Sequence, residues 1–142
     1  GEFEWHDGHN HFHFEGYALY TLKPVGSPDA PGRFGTKTTF CVMDTTRVNT
    51  KLPGAPKRAV YSTCGTSIQG MSVGWGDTYG YYLPGQEIDI TGLPDGDYQL
   101  KIKIDPNNKL IERDDTDNTS SIDIRIANGG VSVIGGSGRG NR

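Results

Sequence analysis

A two-residue alternation of apolar and polar positions runs through most of this chain. It is clearest in Tyr98-Gln99-Leu100-Lys101-Ile102-Lys103-Ile104 and in Ser120 to Ile126, where Ile122, Ile124 and Ile126 share one face; Glu87-Ile88-Asp89-Ile90 is a shorter case. Successive strand side chains point to opposite faces, so this period is that of half-buried antiparallel strands. Glu87 to Ile90 and Tyr98 to Ile104 are expected to pair with each other through Gly92-Leu93-Pro94-Asp95-Gly96-Asp97. Residues 11 to 22, with Phe12, Phe14, Tyr17, Leu19, Tyr20 and Leu22, read as a strand or hairpin. Thr36 to Met43 is β-branched and bounded by Gly35 and Asp44, which predicts a buried strand, and a short strand is expected at Ala59 to Ser62.

Between these stretches the breakers accumulate. Lys23 to Gly35 is predicted as a loop, Thr45 to Arg58 as irregular, and Gly70 to Gly85, with Trp75, Tyr79, Tyr81 and Tyr82, as an aromatic-walled loop. Asn128 to Arg142 is rich in Gly and Ser and is expected to be a flexible or edge-docked tail. No window carries a capped apolar stripe of helical period. The predicted class is all-β: an antiparallel β-sandwich with long irregular loops and little helix, organised as a domain over residues 1–127 and a tail over 128–142.

Composition narrows the function classes. A chain of 142 residues can bury one core. Fourteen basic and seventeen acidic residues give a net charge of −3 without a long block of either sign, so no electrostatic footprint for nucleic acid or membrane is present. The apolar runs fall far short of the ~18–20 residues of a membrane-spanning helix. Cys41 and Cys64 leave one intramolecular pairing, and neither lies in a zinc-finger spacing. A disulfide between them would contribute about 3 kcal/mol; two reduced buried thiols are the alternative.

All four histidines lie in Trp5-His6-Asp7-Gly8-His9-Asn10-His11-Phe12-His13-Phe14. If residues 9 to 13 are extended, His9, His11 and His13 share one face while Asn10, Phe12 and Phe14 take the other, so that one face carries ligands and the other packs. A flat strand spreads the three over roughly 13 Å, so convergence on one ion needs a bend, which Gly8 can supply. Three imidazoles without a thiolate suit Cu(II), Zn(II), Ni(II) or Fe(II). A purification tag is the bland alternative, but tags are unbroken runs and this segment is interwoven with aromatics. His6, out of step with the others, is expected to support the ligands rather than bind. Tyr79, in Gly74-Trp75-Gly76-Asp77-Thr78-Tyr79, and Lys37 read by themselves as a turn aromatic and a solvated edge charge.

Taken together these segments resemble the catalytic domain of the lysyl oxidase family. Trp5-His6-x-x-His9-x-His11-x-His13 is similar to the family's copper segment, Lys37-x-x-Phe40-Cys41-x-x-Asp44-Thr45 to the segment of its cofactor lysine, and Asp77-Thr78-Tyr79 to that of its cofactor tyrosine. Ile88-Asp89-Ile90-Thr91, Gly96-Asp97-Tyr98 and Glu112-x-Asp114-x-x-Asp117-Asn118 follow in the family's order. The resemblance implies Cu(II) on His9, His11 and His13, and a lysine tyrosylquinone made from Lys37 and Tyr79. The implied reaction takes a primary amine, peptidyl lysine included, and dioxygen to an aldehyde, hydrogen peroxide and ammonia. Such chemistry needs a phenol that can be oxidised to an electrophilic ring, and an amine that is nucleophilic once its pKa is lowered. Asp77 is the candidate base for the α-proton, with capping of a turn as its structural alternative. Glu112, Asp114, Asp117 and Asn118 form an oxygen-rich set that the resemblance assigns to Ca²⁺; a solvated acidic turn is the alternative.

Two departures from the family pattern stand out. The animal enzymes carry a cysteine just before the first ligand, where this chain has Gly8, and they have several disulfides; the pattern here suggests a simpler, prokaryotic-type relative in which Cys41 and Cys64 pair. No histidine follows the copper segment near Glu15 to Tyr20, and the family's first strands have no counterpart before Gly1, so a domain lacking its N-terminal part, or completed by a separate chain, is expected. Secretion or display at the cell surface follows from the resemblance. The rival classes are a non-catalytic Zn- or Cu-binding extracellular β-domain or precursor form, and an adhesion module stabilised by Ca²⁺.

Overall fold

The computed structural model describes residues 3–8, 10–37, 41–65, 67–83 and 85–136, with backbone alone at 36, 37 and 136. The chain is all-β, and the described residues contain no helix. It divides into two compact units. One comprises Gly1–Glu15 and Thr39–Leu83, the other Gly16–Thr38 and Pro84–Arg142.

The second unit is built on a five-stranded antiparallel sheet of β3 (Ala18–Pro24), β4 (Arg33–Lys37), β7 (Gly96–Ile104), β8 (Thr119–Ala127) and β9 (Gly130–Gly136), in the order β4-β3-β7-β8-β9. Its register aligns apolar positions in rows: Leu22 opposite Leu100 opposite Ile122, and Tyr98 opposite Ile124. Leu22, Tyr98, Ile124 and Ile126 are buried, and Ile88, Ile90, Leu93, Leu100 and Ile122 pack against them. The Tyr98 hydroxyl leaves this core by donating to the Pro94 carbonyl at 2.8 Å.

Glu87 to Ile90 does not become a strand, and the expected pairing with Tyr98 to Ile104 is not formed. Both edges of β7 are taken, by β3 and by β8. The isoleucines still reach the core, from an irregular segment. Gly35 permits that approach, since a Cβ there would lie 2.7 Å from the Glu87 carbonyl oxygen. The loop predicted over Lys23 to Gly35 is shorter than expected, because Lys23 and Pro24 finish β3 and Arg33 to Gly35 begin β4.

The glycine-rich C-terminal stretch contributes β9. Asn128 (φ 51°) and Gly129 (φ 73°) form the two-residue left-handed turn that favours hairpins, and Ala127 faces Gly130 across it. The edge-docked alternative therefore describes Gly130–Gly136; residues 137–142 lie outside the described residues.

The first unit holds a hairpin of β1 (Phe3–His6) and β2 (His11–Phe14), a two-residue pair of β5 (Thr46–Arg47) and β6 (Trp75–Gly76), and long loops. Cys41 and Cys64 form a disulfide. The predicted strands over Thr36 to Met43 and Ala59 to Ser62 do not extend into this unit, because side chains take their backbone donors. Val42 N–H goes to Gln69 and Met43 N–H to Asp77, while Val60 and Tyr61 N–H go to Asp44. Residues 38–40, the middle of the first of these predicted strands, lie outside the described residues.

Candidate functional site

The hairpin sorts its side chains by chemistry. Phe3 lies opposite Phe14 and Trp5 opposite Phe12, whereas Glu4 lies opposite His13 and His6 opposite His11. One face is therefore aromatic, with edge-on ring pairs at 5.1 Å (Phe3 and Phe14) and 5.2 Å (Trp5 and Phe12). The other carries three imidazoles and a carboxylate. Phe14 is fully buried, whereas all of β1, Phe3 and Trp5 included, is exposed.

The bend falls at Asn10 rather than at Gly8, so Asn10 is not part of one extended segment with His11 to His13. Asn10 N–H donates to the His6 carbonyl at 2.9 Å with Asn10 at φ 53°, and β2 begins at His11. His9 lies outside the described residues. His6 is brought back by the turn, and its ring stacks on His13 with centroids 4.7 Å apart and planes 27° apart. His11 and His13 share a hydrogen bond between Nε2 atoms 2.9 Å apart. Two imidazoles bound to one ion at about 2.0–2.1 Å set their nitrogens roughly 2.9 Å apart when the bonds meet at a right angle. The same spacing would serve two adjacent positions on one metal once the shared proton is lost. Among the described residues no three His, Cys, Asp or Glu side chains are drawn together closely enough to hold an ion. Burial raises the pKa of Glu15 beside this face; the Glu4 carboxylate adds to the rise and His6 opposes it.

Tyr79 is placed by a chain of polar contacts in the same unit. Its hydroxyl donates to the Cys41 carbonyl at 3.1 Å, on the half-cystine joined to Cys64. Two residues earlier, Asp77 accepts the Met43 amide at 3.2 Å and the Thr45 hydroxyl at 3.0 Å. Thr45 Oγ1 in turn accepts the Thr78 amide at 2.8 Å. The Asp77 carboxylate therefore clamps the 43–45 segment. Burial raises its pKa, the Thr45 and Met43 donors oppose that rise, and the Asp44 carboxylate adds to it.

Sequence reasoning did not single out Asp44 as a functional residue, and it is the hub of this unit. It is 5% exposed and accepts hydrogen bonds from the Ser72 amide and hydroxyl, Val60 N–H and Tyr61 N–H. Burial alone would raise its pKa, but these donors outweigh burial and lower it. Gln69, also missed, bridges the hairpin to the Cys41–Met43 segment.

In the other unit Lys37 ends β4 opposite Ala18; its side chain lies outside the described residues. Glu112, Asp114, Asp117 and Asn118 occupy the loop between β7 and β8. Asn118 Nδ2 donates to Glu112 Oε1 at 2.9 Å, and Asp114 accepts the Thr116 amide and hydroxyl, which lowers the Asp114 pKa. Asp117 is exposed. Asp105, 2% exposed and not anticipated, closes the start of the same connection by accepting the Lys109 and Leu110 amides at 2.9 and 2.7 Å.

The family model described as Lysyl oxidase matches residues 1–135. The chain belongs to the lysyl oxidase family. Human Protein-lysine 6-oxidase is 34% identical over 123 residues, covering 86% of this chain and 28% of the relative. Mouse Lysyl oxidase homolog 4 is 35% identical and zebrafish Lysyl oxidase homolog 2B 36% identical, each over 80% of this chain and 14% of the relative. This lysyl oxidase family chain thus spans between about a seventh and about a quarter of the length of these relatives. The matched region includes the histidine hairpin, Lys37, Tyr79 and the Glu112 to Asn118 loop.

Proposed function

We propose that this chain is a copper-dependent amine oxidase domain acting on primary amines, including lysine side chains of proteins. The reaction is RCH₂NH₂ + O₂ + H₂O → RCHO + NH₃ + H₂O₂. Membership of the lysyl oxidase family, with the histidine, lysine and tyrosine segments all inside the matched region, is the observation that carries this reading. The name of the human relative denotes oxidation of lysine in protein at its sixth carbon.

His11 and His13 would hold copper, with His9 as the third ligand, and the 2.9 Å spacing of the two described nitrogens supports that use. Bound copper and a lysine tyrosylquinone from Lys37 and Tyr79 would supply, respectively, the redox partner for dioxygen and the electrophilic carbonyl that an amine attacks. The remaining work falls to the protein. The Cys41 carbonyl orients the Tyr79 hydroxyl. Lys37 contributes an amine that attacks only when deprotonated. Asp77, two residues from Tyr79 and with a raised pKa, is the candidate proton acceptor, because a carboxylate shifted towards neutrality is the better general base. Glu112, Asp114, Asp117 and Asn118 are proposed to bind Ca²⁺. The Cys41–Cys64 disulfide supports a secreted or cell-surface location, where such bonds persist.

The test is chemical. Copper-loaded, aerated protein should give one cross-linked peptide containing both Lys37 and Tyr79, a quinone absorbance, and peroxide on addition of a primary amine; Tyr79→Phe should abolish all three. Recovery of Lys37 and Tyr79 in two ordinary peptides, with metal bound and no peroxide, would instead identify a non-catalytic metal-binding domain.

A further inference from the structure

The histidine face and Tyr79 lie on different segments of the first unit, and one side chain spans the gap between them. Gln69 Nε2 donates to the Phe12 carbonyl at 2.8 Å, and Gln69 Oε1 accepts the Val42 amide at 3.1 Å. Phe12 sits between His11 and His13 on β2, so the first bond grips the backbone from which both imidazoles project. Val42 follows Cys41, so the second grips the residue next to the carbonyl that holds the Tyr79 hydroxyl. The next residue strengthens the join: Gly70 N–H donates to the Val42 carbonyl at 3.0 Å. A Cβ at Gly70 would lie 3.0 Å from the Tyr61 ring, which would have to give by a few tenths of an ångström to admit it. Val42 and Cys41 are each 5% exposed and Gln69 is half-buried, so these amide bonds are partly shielded from competing water.

We propose that Gln69 is a positioning residue that sets the histidine hairpin against the Tyr79 acceptor, so that metal binding and quinone formation depend on one shared amide. This rests on the copper and quinone reading above. The two ends of the amide are not equivalent. The nitrogen serves the metal side and the oxygen serves the tyrosine side, and substitution can separate them. Gln69→Leu removes both bonds, and a groove of about 370 Å³ lined by Phe3, Phe12, Ile68 and Gln69 itself leaves room for the new side chain. Gln69→Glu keeps an acceptor for Val42 N–H and replaces the donor to Phe12 with a carboxylate oxygen that the Phe12 carbonyl repels.

The experiment measures Cu(II) affinity by competition with a chelating dye, the Cu(II) paramagnetic resonance spectrum, and the rate of quinone absorbance growth in air. Wild type, Gln69→Leu and Gln69→Glu are compared, with far-ultraviolet dichroism as the check on folding. Loss of the hydrogen bond to Phe12, at about 1 kcal/mol, should weaken copper binding roughly fivefold in Gln69→Leu and at least as much in Gln69→Glu, with a changed copper spectrum. Quinone formation should slow about tenfold or more in Gln69→Leu, and less in Gln69→Glu. Copper affinity and spectrum like wild type in either folded variant overturn the proposal, as does an equal loss of quinone formation in both. If Gln69→Leu does not fold, Gln69→Glu alone decides on its copper affinity and spectrum. A wild-type protein that binds copper but makes no quinone overturns the enzyme reading and leaves the copper arm to judge Gln69.

Discussion

Ser72 holds the Asp44 carboxylate with two hydrogen bonds of 2.7 Å, one from its amide and one from its hydroxyl. With the Val60 and Tyr61 amides at 2.9 and 3.2 Å, a buried charge gathers three separate stretches of chain. Hydrogen bonds to a charged group contribute about 1.5–3 kcal/mol each, and leaving such donors unmade costs more than the mean bond returns. Asp44→Asn should therefore lose about 2–4 kcal/mol at pH 7 in denaturant unfolding. The sign of the pH dependence follows from the depressed folded pKa. The carboxylate's contribution is complete above the unfolded value of about 3.9 and disappears as pH falls through the lower folded value. Wild type should lose stability faster than Asp44→Asn below about pH 4; parallel curves would show that Asp44 is not the acid-sensitive group.

Asp77 is shifted the other way, and its substitution should separate clamping from proton transfer. Its charged form is disfavoured in the folded state, so it costs stability above its raised pKa and nothing once pH is below the ordinary value. Asp77→Asn relieves that cost and keeps one acceptor of the two used by Met43 and Thr45. Stability at pH 7 should move by about 1 kcal/mol or less. Turnover of a primary amine should fall by about 10²–10⁴-fold, the range of a lost general base. A loss of stability with turnover intact would leave Asp77 with the clamping role alone.

The histidine set can be resolved by single substitutions. His11→Ala and His13→Ala each remove one of two nitrogens 2.9 Å apart, and His9→Ala removes the proposed third ligand; each should weaken Cu(II) binding by at least tenfold in equilibrium titration. The His6 ring stacks on His13, so His6→Ala should cost less than the loss of any ligand, at the low end of the roughly 10–100-fold range of a group that orients a ligand. The reverse ranking of His6 and His9 would place the third ligand on β1.

The parts of the fold that were legible in the sequence are those where the ladder and the apolar pattern agree. β7 and β8 alternate cleanly because one face meets the core, and they lie where their period predicts, at Gly96–Ile104 and Thr119–Ala127. The sorting of β2 into Phe12 and Phe14 against His11 and His13 was legible for the same reason. Failures came where side chains replace the ladder. Thr36 to Met43 and Ala59 to Ser62 have strand composition, yet Gln69, Asp77 and Asp44 take their amides, and no local period reports an acceptor many residues away. Glu87 to Ile90 alternates as a strand does, but periodicity records burial and not whether a neighbour's edge is vacant. At β9 the signal was present: Asn128-Gly129 is a strong hairpin turn, masked by the glycines and serines around it.

The disulfide should matter to both stability and the tyrosine. Cys41 and Cys64 are 23 positions apart, and closing such a loop contributes about 3 kcal/mol, mainly by restricting the unfolded chain. Cys64→Ser keeps the Cys41 carbonyl in the sequence but frees it from its tether. Unfolding should shift to lower denaturant by an amount corresponding to about 3 kcal/mol, and quinone growth at Tyr79 should slow because its hydroxyl acceptor is less well fixed. An unfolding midpoint equal to that of wild type would show that the bond adds nothing to the stability of the unit.

Calcium gives the last separation, because it concerns the other unit. Asn118 already touches Glu112 across the loop, and Asp114 spends one oxygen on Thr116, so binding must exchange these internal bonds for the ion. That exchange predicts weak affinity, of the order of 10⁻⁴–10⁻³ M, typical of extracellular sites. At a free Ca²⁺ concentration ten times such a dissociation constant, mass action adds about 1.4 kcal/mol to the folded state. Thermal unfolding should therefore rise with millimolar Ca²⁺ in wild type and not in a Glu112→Gln, Asp117→Asn double variant. Magnesium, which demands a tighter octahedron, should stabilise less. An equal response to both cations, or a response that survives the double substitution, would reduce the cluster to a solvated acidic turn.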